Sequence, residues 1–212
     1  MQNEKTLGGI CYVVGAADFS RGFKVAEGDF VIAADGGYDR LLSMGIAPNL
    51  LIGDFDSVSA QLPTDVERLC YKVEKDETDM HLAFLEGMRR GYRSFRFFGG
   101  CGGRADHTMA NYSLLLFAAR QGALARLVGD DSESFVIENG SVRIKRGEWQ
   151  GVSVFAFGAD AENVNIRGLK YRASGVTLKM DFPLGVSNCF CDDEAEISVG
   201  KGALLVMLRR DR

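Results

Sequence analysis

The sequence predicts an α/β domain built on a parallel sheet over residues 1–132, followed by an all-β sandwich domain over residues 133–212. Two observations predict this division. Through roughly the first 130 residues, short apolar β-rich runs alternate with helical patterns, which is typical of a parallel sheet covered by helices. In the remaining residues, strand-like runs are separated by glycine and no helical pattern follows, which is typical of a small antiparallel sandwich or barrel.

Six segments of the first domain are predicted to be strands. Several of them are apolar on both faces, as strands in the middle of a parallel sheet must be. In chain order they are GICYVVG (9–15), DFVIAAD (29–35), NLLIGDF (49–55), LCYKVEK (69–75), SFRFFGG (94–100) and LARLVGD (124–130).

Two longer helical patterns lie between these strands. Residues 78–91 (TDMHLAFLEGMRRG) begin with Thr78, a residue type that is favoured at the N-cap. Residues 107–122 (HTMANYSLLLFAARQG) are so apolar that we expect this helix to lie mostly buried and to end at Gly122. The apolar face of the first helix is predicted to consist of Leu82, Leu85 and Met88.

The second domain is predicted to contain six short strands and no helix. In chain order these are ESFVIENG (133–140), SVRIKRG (141–147), GVSVFAFG (151–158), ENVNIRG (162–168), GVTLKMDF (175–182) and GALLVMLRR (202–210). One further segment, GVSNCF (185–190), places the polar residues Ser187 and Asn188 beside an aromatic residue. Such a pattern is typical of a turn as well as of a ligand contact.

The composition excludes several classes of protein. The net charge is −4 and no basic stripe occurs, so we expect no nucleic-acid partner. No apolar run approaches the roughly 20 residues of a membrane helix, and the N-terminus lacks the pattern of a signal peptide, so we expect no membrane partner. The 5 cysteines form no C-x-x-C pair, which argues against a structural zinc site and favours reduced thiols in the cytoplasm.

Polar residues collect where the predicted parallel strands end. In an open parallel sheet, ligands bind outside the carboxyl ends of the strands. This coincidence predicts a ligand site more strongly than any one motif does. The clusters are Asp35 with Gly36 and Gly37, Asp54 with Asp56, Lys75 with Asp76, Gly99 with Gly100, and Asp130 with Asp131.

The segment LIGDFDSV (51–58) predicts a cation site. On one strand, the side chains of Asp54 and Asp56 would point the same way, which is unfavourable unless a cation lies between them. Asp79, at the start of the next helix, would supply a third carboxylate, and such a set suits Mg²⁺ beside phosphate oxygens. Taken singly, the first two are more typical of aspartates that cap a turn, and the third is more typical of a first-turn acid.

Two glycine-rich segments predict close approach to an anionic ligand. In FFGGCGGRADHTMAN (97–111), the glycines free the backbone N–H groups, and Arg104 precedes a helix N-terminus. The alternative is a flexible turn, in which Asp106 caps the helix and His107 is structural. ADGGYDRLLSMGI (34–46) repeats the order of strand, aspartate, glycines and helix. Arg21 and Lys24 are expected to be solvated surface charges that lie within reach of a phosphate.

Five segments resemble the motifs of thiamine pyrophosphokinases in order and approximate spacing. They are ADGGYDRLLSMGIAPNLLIGDFDSV, KDETDMHLA, GGCGGRADHTMAN, GLKY and GVSN, and they extend over most of the chain, from about Asp35 to Asn188. The combination of IGDFDS with GG-x-GGR-x-DH is the most specific part, and GLKY and GVSN add the second domain.

The resemblance implies a fold, a reaction and an assembly. It implies a homodimer in which an α/β nucleotide-binding domain precedes a β-sandwich, with the thiamine pocket between subunits. It also implies that the terminal diphosphate of ATP is transferred to the hydroxyethyl group of thiamine. The products would be thiamine diphosphate and AMP, and Mg²⁺ would be the cofactor.

The resemblance further implies roles for individual residues. Asp54, Asp56 and Asp79 would hold Mg²⁺ and, with Arg104, carry the catalysis. The implied ATP contacts are Asp35, Gly36, Gly37, Gly99, Gly100, Gly102, Gly103, Arg104 and Asp106. The implied thiamine contacts are Ser187 and Asn188, with Phe190 and Tyr171 as aromatic walls. Tyr171 stands where the family has tryptophan, so its stacking role is open.

Three other functions are compatible with the motifs. DFDSV is similar to the nucleophile motif of haloacid-dehalogenase-type phosphatases, in which Asp54 would become phosphorylated, although two predicted strands precede it here. The acceptor can also be another heterocyclic alcohol, such as a hydroxymethyl-pterin or a hydroxymethyl-pyrimidine. A nucleotide sensor would bind ATP and Mg²⁺ without turnover. Formation of AMP that depends on an acceptor separates diphosphate transfer from the first and the last of these.

Overall fold

The structure is a computed structural model that describes residues 8–71 and 76–211. It divides into two compact units. Unit 1 contains the residues up to Leu114 together with Gly122–Asp130, and unit 2 contains Leu115–Gln121 together with the residues from Asp131 onward. The domain limit between residues 132 and 133 stays a prediction, because a domain is a unit that folds by itself, whereas these units are defined by packing.

Six parallel strands form the sheet of unit 1, so the predicted α/β class is confirmed. They lie side by side in the order β6-β5-β1-β2-β3-β4. Because β1 lies between β2 and β5, the direction of strand addition reverses there, and such a switch point opens a crevice at the carboxyl ends of the strands. The strands are β1 (Ile10–Val14), β2 (Phe30–Ala34), β3 (Leu50–Gly53), β4 (Glu67–Cys70), β5 (Ser94–Phe98) and β6 (Leu124–Val128).

The central strands are buried on both faces, which explains their unbroken apolar sequences. Val13, Ile32 and Leu51 have no exposed surface. The last strand in the order, β4, differs because most of its residues are exposed. It begins two residues before the predicted segment 69–75, and the end of that prediction, including Lys75, lies outside the described residues.

Three helices connect these strands: α1 (Gly37–Ser43), α2 (Asp79–Arg89) and α3 (Ala105–Arg120). The predicted cap of α2 is confirmed, since the Thr78 side chain accepts a hydrogen bond from the backbone of His81. The predicted apolar face of α2 is wrong in one position. Leu85 is 38% exposed, and the fully buried Phe84 packs against Phe95 instead. The buried residues of α2 are Met80, Leu82, Ala83, Phe84, Glu86 and Gly87, so the buried face includes Leu82 but is not centred on Leu85.

Helix α3 departs from its prediction in two respects. It begins at Ala105, two residues earlier than predicted, although Gly122 follows its last turn in the left-handed conformation as expected (φ 72°). The helix is not mostly buried, because Met109 is 55% exposed. The residues that are buried form one stripe, namely Asn111, Leu114, Leu115 and Ala118.

Unit 2 is the predicted antiparallel sandwich. One layer contains β12, β9, β14 and β7 as neighbours, and the other contains β11, β10, β13 and β8. Side chains of both layers, such as Val154 and Ile166, belong to one buried cluster. The strands are β7 (Ser132–Glu138), β8 (Ser141–Lys145), β9 (Gly151–Ala156), β10 (Ala161–Arg167), β11 (Ala173–Leu178), β12 (Gly185–Cys189), β13 (Glu194–Ser198) and β14 (Ala203–Arg209).

The strand predictions for unit 2 missed β12 and β13. The segment EAEIS of β13 alternates polar and apolar residues, and Ala195 and Ile197 have no exposed surface. This alternation with a period of two is the pattern of a strand and could have been recognised in the sequence. The segment GVSNC of β12 carries no such signal, because Val186 is 44% exposed and Asn188 is buried. In residues 8–71 and 76–211, no helix combines the length and the apolar character that crossing a bilayer requires.

Candidate active site

The carboxyl ends of β2 and β3 bring three carboxylates together. Asp35 follows β2, and Asp54 and Asp56 follow its parallel neighbour β3. One carboxylate oxygen from each residue lies within 4.8 Å of the others. We call these residues the carboxylate cluster. The sequence predicts a cation site at this edge of the sheet, but with Asp79 rather than Asp35 as its third carboxylate.

A turn, not a strand, positions Asp54 and Asp56. Strand β3 ends at Gly53, and Phe55 adopts a left-handed conformation (φ 64°). The backbone N–H of Asp56 donates to Oδ1 of Asp54 at 3.1 Å. The two carboxylates converge as expected, but from a turn with a positive φ at Phe55 rather than from one strand. The expectation that both stand on one strand is therefore wrong.

Asp35 presents one carboxylate oxygen to the cluster. Its backbone is in the left-handed region (φ 49°), and its N–H donates to the carbonyl of Ile52 on β3. The Ser57 hydroxyl donates to Oδ2 of Asp35. The other oxygen, Oδ1, is buried and has no hydrogen-bond partner among the described residues. A buried carboxylate oxygen with no donor is costly, and a cation would satisfy it.

Like-charge repulsion dominates the electrostatics of the cluster. The charge of Asp54 is the main cause that raises the pKa of Asp56, and the charges of Asp35 and Asp79 raise it further. Asp79 is the first residue of α2 and is not among the three clustered residues, but its charge acts on the same site. Mg²⁺ takes oxygen ligands and is usually held by one or two carboxylates together with waters and phosphate oxygens, so the carboxylates present fit this ion.

The glycines after β5 fall into two groups. Gly99 and Gly100 are required by packing, because a Cβ on Gly99 would lie 2.3 Å from the carbonyl oxygen of Gly15, and one on Gly100 would lie 2.9 Å from Nδ2 of Asn111. Gly102 and Gly103 have positive φ (81° and 64°) and open space around the position of a Cβ. The backbone of this second pair is therefore the part that a ligand can approach.

Gly15 and Gly99 join the two loops at the switch point of the sheet. Gly15 follows β1, and its N–H donates to the carbonyl of Phe98 on β5 at 2.8 Å. The N–H of Ala17 donates to Gly99 at 3.1 Å. The role of Gly15 was missed from the sequence, because a single glycine after a strand carries no distinctive pattern.

Arg104 and Asp106 form an exposed ion pair at the start of α3. Their nearest charged atoms are 2.6 Å apart, and their side chains are 71% and 64% exposed. The guanidinium of Arg104 lowers the pKa of Asp106 to about 2. The backbone N–H of His107 also donates to Asp106. Because α3 begins at Ala105, Asp106 lies within the first turn and does not precede the helix, so the predicted cap is wrong. Arg104 is held near the open glycines without being buried.

The start of α1 holds two further predicted ATP contacts, and the loop after β1 holds the two predicted surface charges. Gly36 precedes α1, and a Cβ on Gly37 would lie 1.8 Å from the carbonyl oxygen of Val14, so Gly37 is required by packing. Arg21 is part of a loop that Asp130 holds through the backbone N–H groups of Ser20 and Arg21. Lys24 is exposed, as expected.

Asn111 is a polar residue of unit 1 that the sequence analysis missed. Its side chain is 5% exposed, and its Nδ2 donates to the carbonyl of Gly100 at 2.8 Å. It therefore fixes the base of the glycine loop to α3. Its position on the buried stripe of that helix, among apolar residues, was a signal that could have identified it.

The predicted thiamine contacts of unit 2 have different environments. Ser187 is exposed and adopts a left-handed conformation (φ 60°), and Tyr171 is 62% exposed. Asn188 and Phe190 are buried, at 5% and 8% exposure, and Phe190 belongs to the core of the sandwich. In the structure, Ser187 and Tyr171 therefore have surface that a ligand can reach.

Two family models match the chain. The model described as "Thiamin pyrophosphokinase, catalytic domain" matches residues 24–125, and the one described as "Thiamin pyrophosphokinase, vitamin B1 binding domain" matches residues 141–204. The thiamine pyrophosphokinase of Bacillus subtilis (strain 168) is 29% identical over 184 residues, which cover 84% of this chain and 86% of the relative.

Solved structures of thiamine pyrophosphokinases have the same fold. The Bacillus subtilis structure superposes with a TM-score of 0.88 at 24% identity, over 96% of this chain and 100% of the other. The Geobacillus thermodenitrificans structure gives 0.82 at 24% identity, over 95% and 98%. The Candida albicans structure gives 0.74 at 13% identity, over 95% and 89%. These likenesses support the fold. The two matching domain models and the Bacillus subtilis relative mean that this chain belongs to the thiamine pyrophosphokinase family.

Proposed function

We propose that this chain transfers the terminal diphosphate of ATP to the hydroxyl of thiamine, giving thiamine diphosphate and AMP, with Mg²⁺ held by the carboxylate cluster. ATP-dependent diphosphate transfer to thiamine is the activity of the family to which the chain belongs. The observation that carries the assignment of the site is the convergence of Asp35, Asp54 and Asp56 at the carboxyl edge of the parallel sheet.

The cluster residues would hold the cation, and Asp79 adds negative charge near it. The buried Oδ1 of Asp35 has no donor among the described residues, which supports its inclusion with Asp54 and Asp56. When bound, Mg²⁺ neutralises charge on the phosphate oxygens of ATP and orients them. The carboxylates also keep the turn after β3 facing the site, because Asp54 accepts the N–H of Asp56.

The open part of the glycine loop would bind the phosphates. Gly102 and Gly103 are exposed, and their positive φ allows backbone N–H groups to turn toward an anion. Arg104 follows directly, and a phosphate can compete with Asp106 for its guanidinium because the pair is exposed. Gly37 and Gly99 support the site by letting neighbouring backbones approach one another, and Gly36 and Gly100 leave room for neighbouring side chains.

The reaction requires alignment and charge neutralisation more than covalent participation by the protein. The thiamine hydroxyl oxygen forms a bond to the β-phosphorus, and the bond from that phosphorus to the bridging oxygen of AMP breaks. AMP leaves with that oxygen, and the hydroxyl loses its proton to a carboxylate of the site or to water. Arg104 stabilises the charge that develops on the phosphate oxygens.

Unit 2 would supply the thiamine site. Residues 141–204 match the vitamin B1 binding domain of the family, and the exposed ring of Tyr171 is a platform on which an aromatic heterocycle can stack. The thiazolium ring of thiamine is cationic, which favours contact with an aromatic face. The exposed Ser187 hydroxyl is positioned on β12 to accept or donate a hydrogen bond.

We also propose that the enzyme is a cytoplasmic homodimer. Four large apolar side chains are exposed between the end of β11 and β12, a density that is typical of a surface covered by a partner. They are Met180, Phe182, Leu184 and Val186, which we call the 180–186 segment. All 5 cysteines lie within the described residues and are free thiols, which is consistent with a reducing compartment.

Release of AMP from ATP tests the proposal directly. With Mg²⁺ present, we expect AMP to form only when thiamine is added, at a rate that rises with thiamine and saturates. A hydroxymethyl-pterin and a hydroxymethyl-pyrimidine serve as alternative acceptors and should give at least about 100-fold lower kcat/KM. Release of inorganic phosphate without an acceptor, or a preference for another alcohol, would contradict the proposed function.

A further inference from the structure

The two motifs of unit 2 form one local structure. The chain segment of GLKY (168–171) runs antiparallel to the end of β12, with Leu169 bridged to Phe190. The N–H of Lys170 donates to the carbonyl of Cys189 at 2.9 Å. GVSN (185–188) and GLKY are therefore adjacent in space although 13 residues separate them in the sequence.

The side chain of Asn188 forms hydrogen bonds with both backbone groups of Tyr171, as the backbone of a neighbouring strand would otherwise do. Its Oδ1 accepts the N–H of Tyr171 at 2.9 Å, and its Nδ2 donates to the carbonyl of Tyr171 at 2.7 Å. Both backbone groups of one residue are thus fixed by one carboxamide. The pairing of β12 with β9 shifts register between Gly185 and Asn188, and Ser187 there has a φ of 60°.

The hydrogen-bonding capacity of Asn188 is nearly used up inside the protein. Its Oδ1 also accepts the N–H of Cys189 at 3.0 Å, so both lone pairs of that oxygen are occupied. Only one N–H of the carboxamide remains, and the side chain is 5% exposed. Tyr171, whose backbone this carboxamide holds in place, is 62% exposed.

We propose that Asn188 is a positioning residue that acts on thiamine through Tyr171, and that the Tyr171 ring rather than Asn188 contacts the substrate. This inference rests on the proposed function and changes the role of one residue within it. Fixing both backbone groups of Tyr171 orders the ring before the substrate arrives, so less conformational entropy is lost on binding. The ring offers an aromatic face to the heterocycles of the substrate and to its positive charge.

A double-mutant cycle on thiamine kinetics tests the inference. Asn188→Leu removes both hydrogen-bonding groups at similar volume, and Tyr171→Ala removes the ring while its backbone groups remain. We expect each variant to raise the KM for thiamine roughly 10-fold at saturating ATP and Mg²⁺, with kcat within about twofold of the wild type. The double variant should be within about twofold of Tyr171→Ala, because Asn188 has no ring left to position.

The double-mutant cycle also has an outcome that would overturn the inference. If Asn188 contacts thiamine directly, the two losses multiply and the double variant reaches roughly a 100-fold rise in KM, which overturns the inference. Asn188→Asp keeps the acceptor for the N–H of Tyr171 and loses the donor to its carbonyl. It supplies the same cycle if the leucine variant does not fold.

Asn165→Leu is the matched control, because Asn165 also bonds backbone groups of unit 2. Its Oδ1 accepts the N–H of Gly175, and its Nδ2 donates to the carbonyl of Asn163. We expect it to lower thermal stability and to leave the KM for thiamine unchanged. A rise in KM equal to that of Asn188→Leu would overturn the inference, because general loosening of unit 2 would then explain both. A wild-type enzyme that releases no AMP with thiamine would instead remove the proposed function itself.

Discussion

Single residues at the carboxylate cluster are held in conformations that only a strong local constraint would maintain. Asp35 and Phe55 both have positive φ, and the charge of Asp54 raises the pKa of Asp56. Strained backbone and crowded like charges both cost stability, and they persist at sites where a ligand or an ion compensates for them. The cluster is therefore expected to matter more for turnover than for folding.

Asp54→Asn tests this expectation. It removes one charge from the proposed Mg²⁺ site, so we expect kcat to fall by roughly 100-fold or more at saturating ATP. The melting temperature without Mg²⁺ should not fall, because the main source of repulsion on Asp56 is gone. Asp65→Asn, at an exposed aspartate of the same unit, is the control and should leave both values unchanged. A kcat near that of the wild type would contradict the metal assignment.

Ser57→Ala tests whether the hydroxyl that binds Asp35 orients the cluster. Residues that hydrogen-bond a metal ligand typically change metal affinity by 10- to 100-fold, so we expect about 10-fold weaker binding of Mg²⁺. Titration of Mn²⁺ followed by electron paramagnetic resonance measures this without turnover. Ser113→Ala removes an exposed hydroxyl on α3 and is the control. Equal Mn²⁺ affinity in both variants would rule out an orienting role for Ser57.

At the scale of elements, close contacts between backbones bring the loops of the site together. The start of α1 packs against the end of β1, and the loop after β5 packs against the loop after β1. These contacts leave no room for a side chain at Gly37 or Gly99. Gly37 and Gly99 are therefore part of the scaffold, whereas Gly102 and Gly103 have open space around the position of a Cβ.

Gly37→Ala should be strongly destabilising. The added Cβ would lie 1.8 Å from the carbonyl oxygen of Val14, and backbone cannot yield as a flexible side chain can. We expect the free energy of unfolding to fall by about 3 kcal/mol, measured by urea denaturation. In the control Gly22→Ala, the nearest heavy atom beyond the adjacent residues is Cε of Met44, 4.0 Å from the new Cβ, so little change is expected. Similar stabilities for the two variants would contradict the packing argument.

The end of α2 makes a pH-dependent contribution to stability. Glu86 is 7% exposed and binds Arg89 and Arg90, whose hydrogen bonds and charges hold the pKa of Glu86 below its ordinary value of 4.5. A lowered pKa in the folded state means that the ionised form stabilises the fold. This contribution is complete above pH 4.5 and is lost as the pH falls through the lower folded-state pKa.

Glu86→Gln tests the sign of this contribution. At pH 7, we expect the variant to be less stable than the wild type by about 2 kcal/mol, because charge-assisted hydrogen bonds to two arginines are weakened. As the pH falls below 4.5, the difference should shrink, since the wild-type carboxyl becomes protonated. Denaturant unfolding at a series of pH values measures it. A difference that stays constant below pH 4.5 would show that the charge is not the cause.

At the scale of the whole molecule, substitutions in the exposed 180–186 segment test the proposed dimer. Replacing Phe182 and Leu184 together by aspartate places two charges on the surface that we propose the partner covers. Sedimentation should give a mass near twice 23.1 kDa for the wild type and near 23.1 kDa for this variant. Leu124→Asp, at a residue of β6 that is 76% exposed, is the control and should remain dimeric. A monomeric wild type would exclude the dimer.

The sequence predicted much of unit 1 correctly because its signals are local. The strands 10–14 and 30–34 lie inside the predicted segments, and the Thr78 cap was found. The predictions were wrong where the structure of a segment depends on the elements that pack against it. The segment GVSNC has no apolar alternation, so its pairing with β9 follows only from the partner strand. Leu85 has the right residue type for a buried face, but Phe84 occupies the position that meets the sheet.

By itself, the sequence determined the fold class, the family motifs and the presence of aspartates and glycines at the strand ends, because residue types and their spacing along the chain are local properties. Only the tertiary structure decided that Asp35 joins Asp54 and Asp56, that Gly99 meets Gly15, and that Asn188 holds Tyr171. Each of these contacts joins residues 17 or more positions apart. Such contacts depend on which strands pair, and pairing is fixed by the packing of the whole sheet.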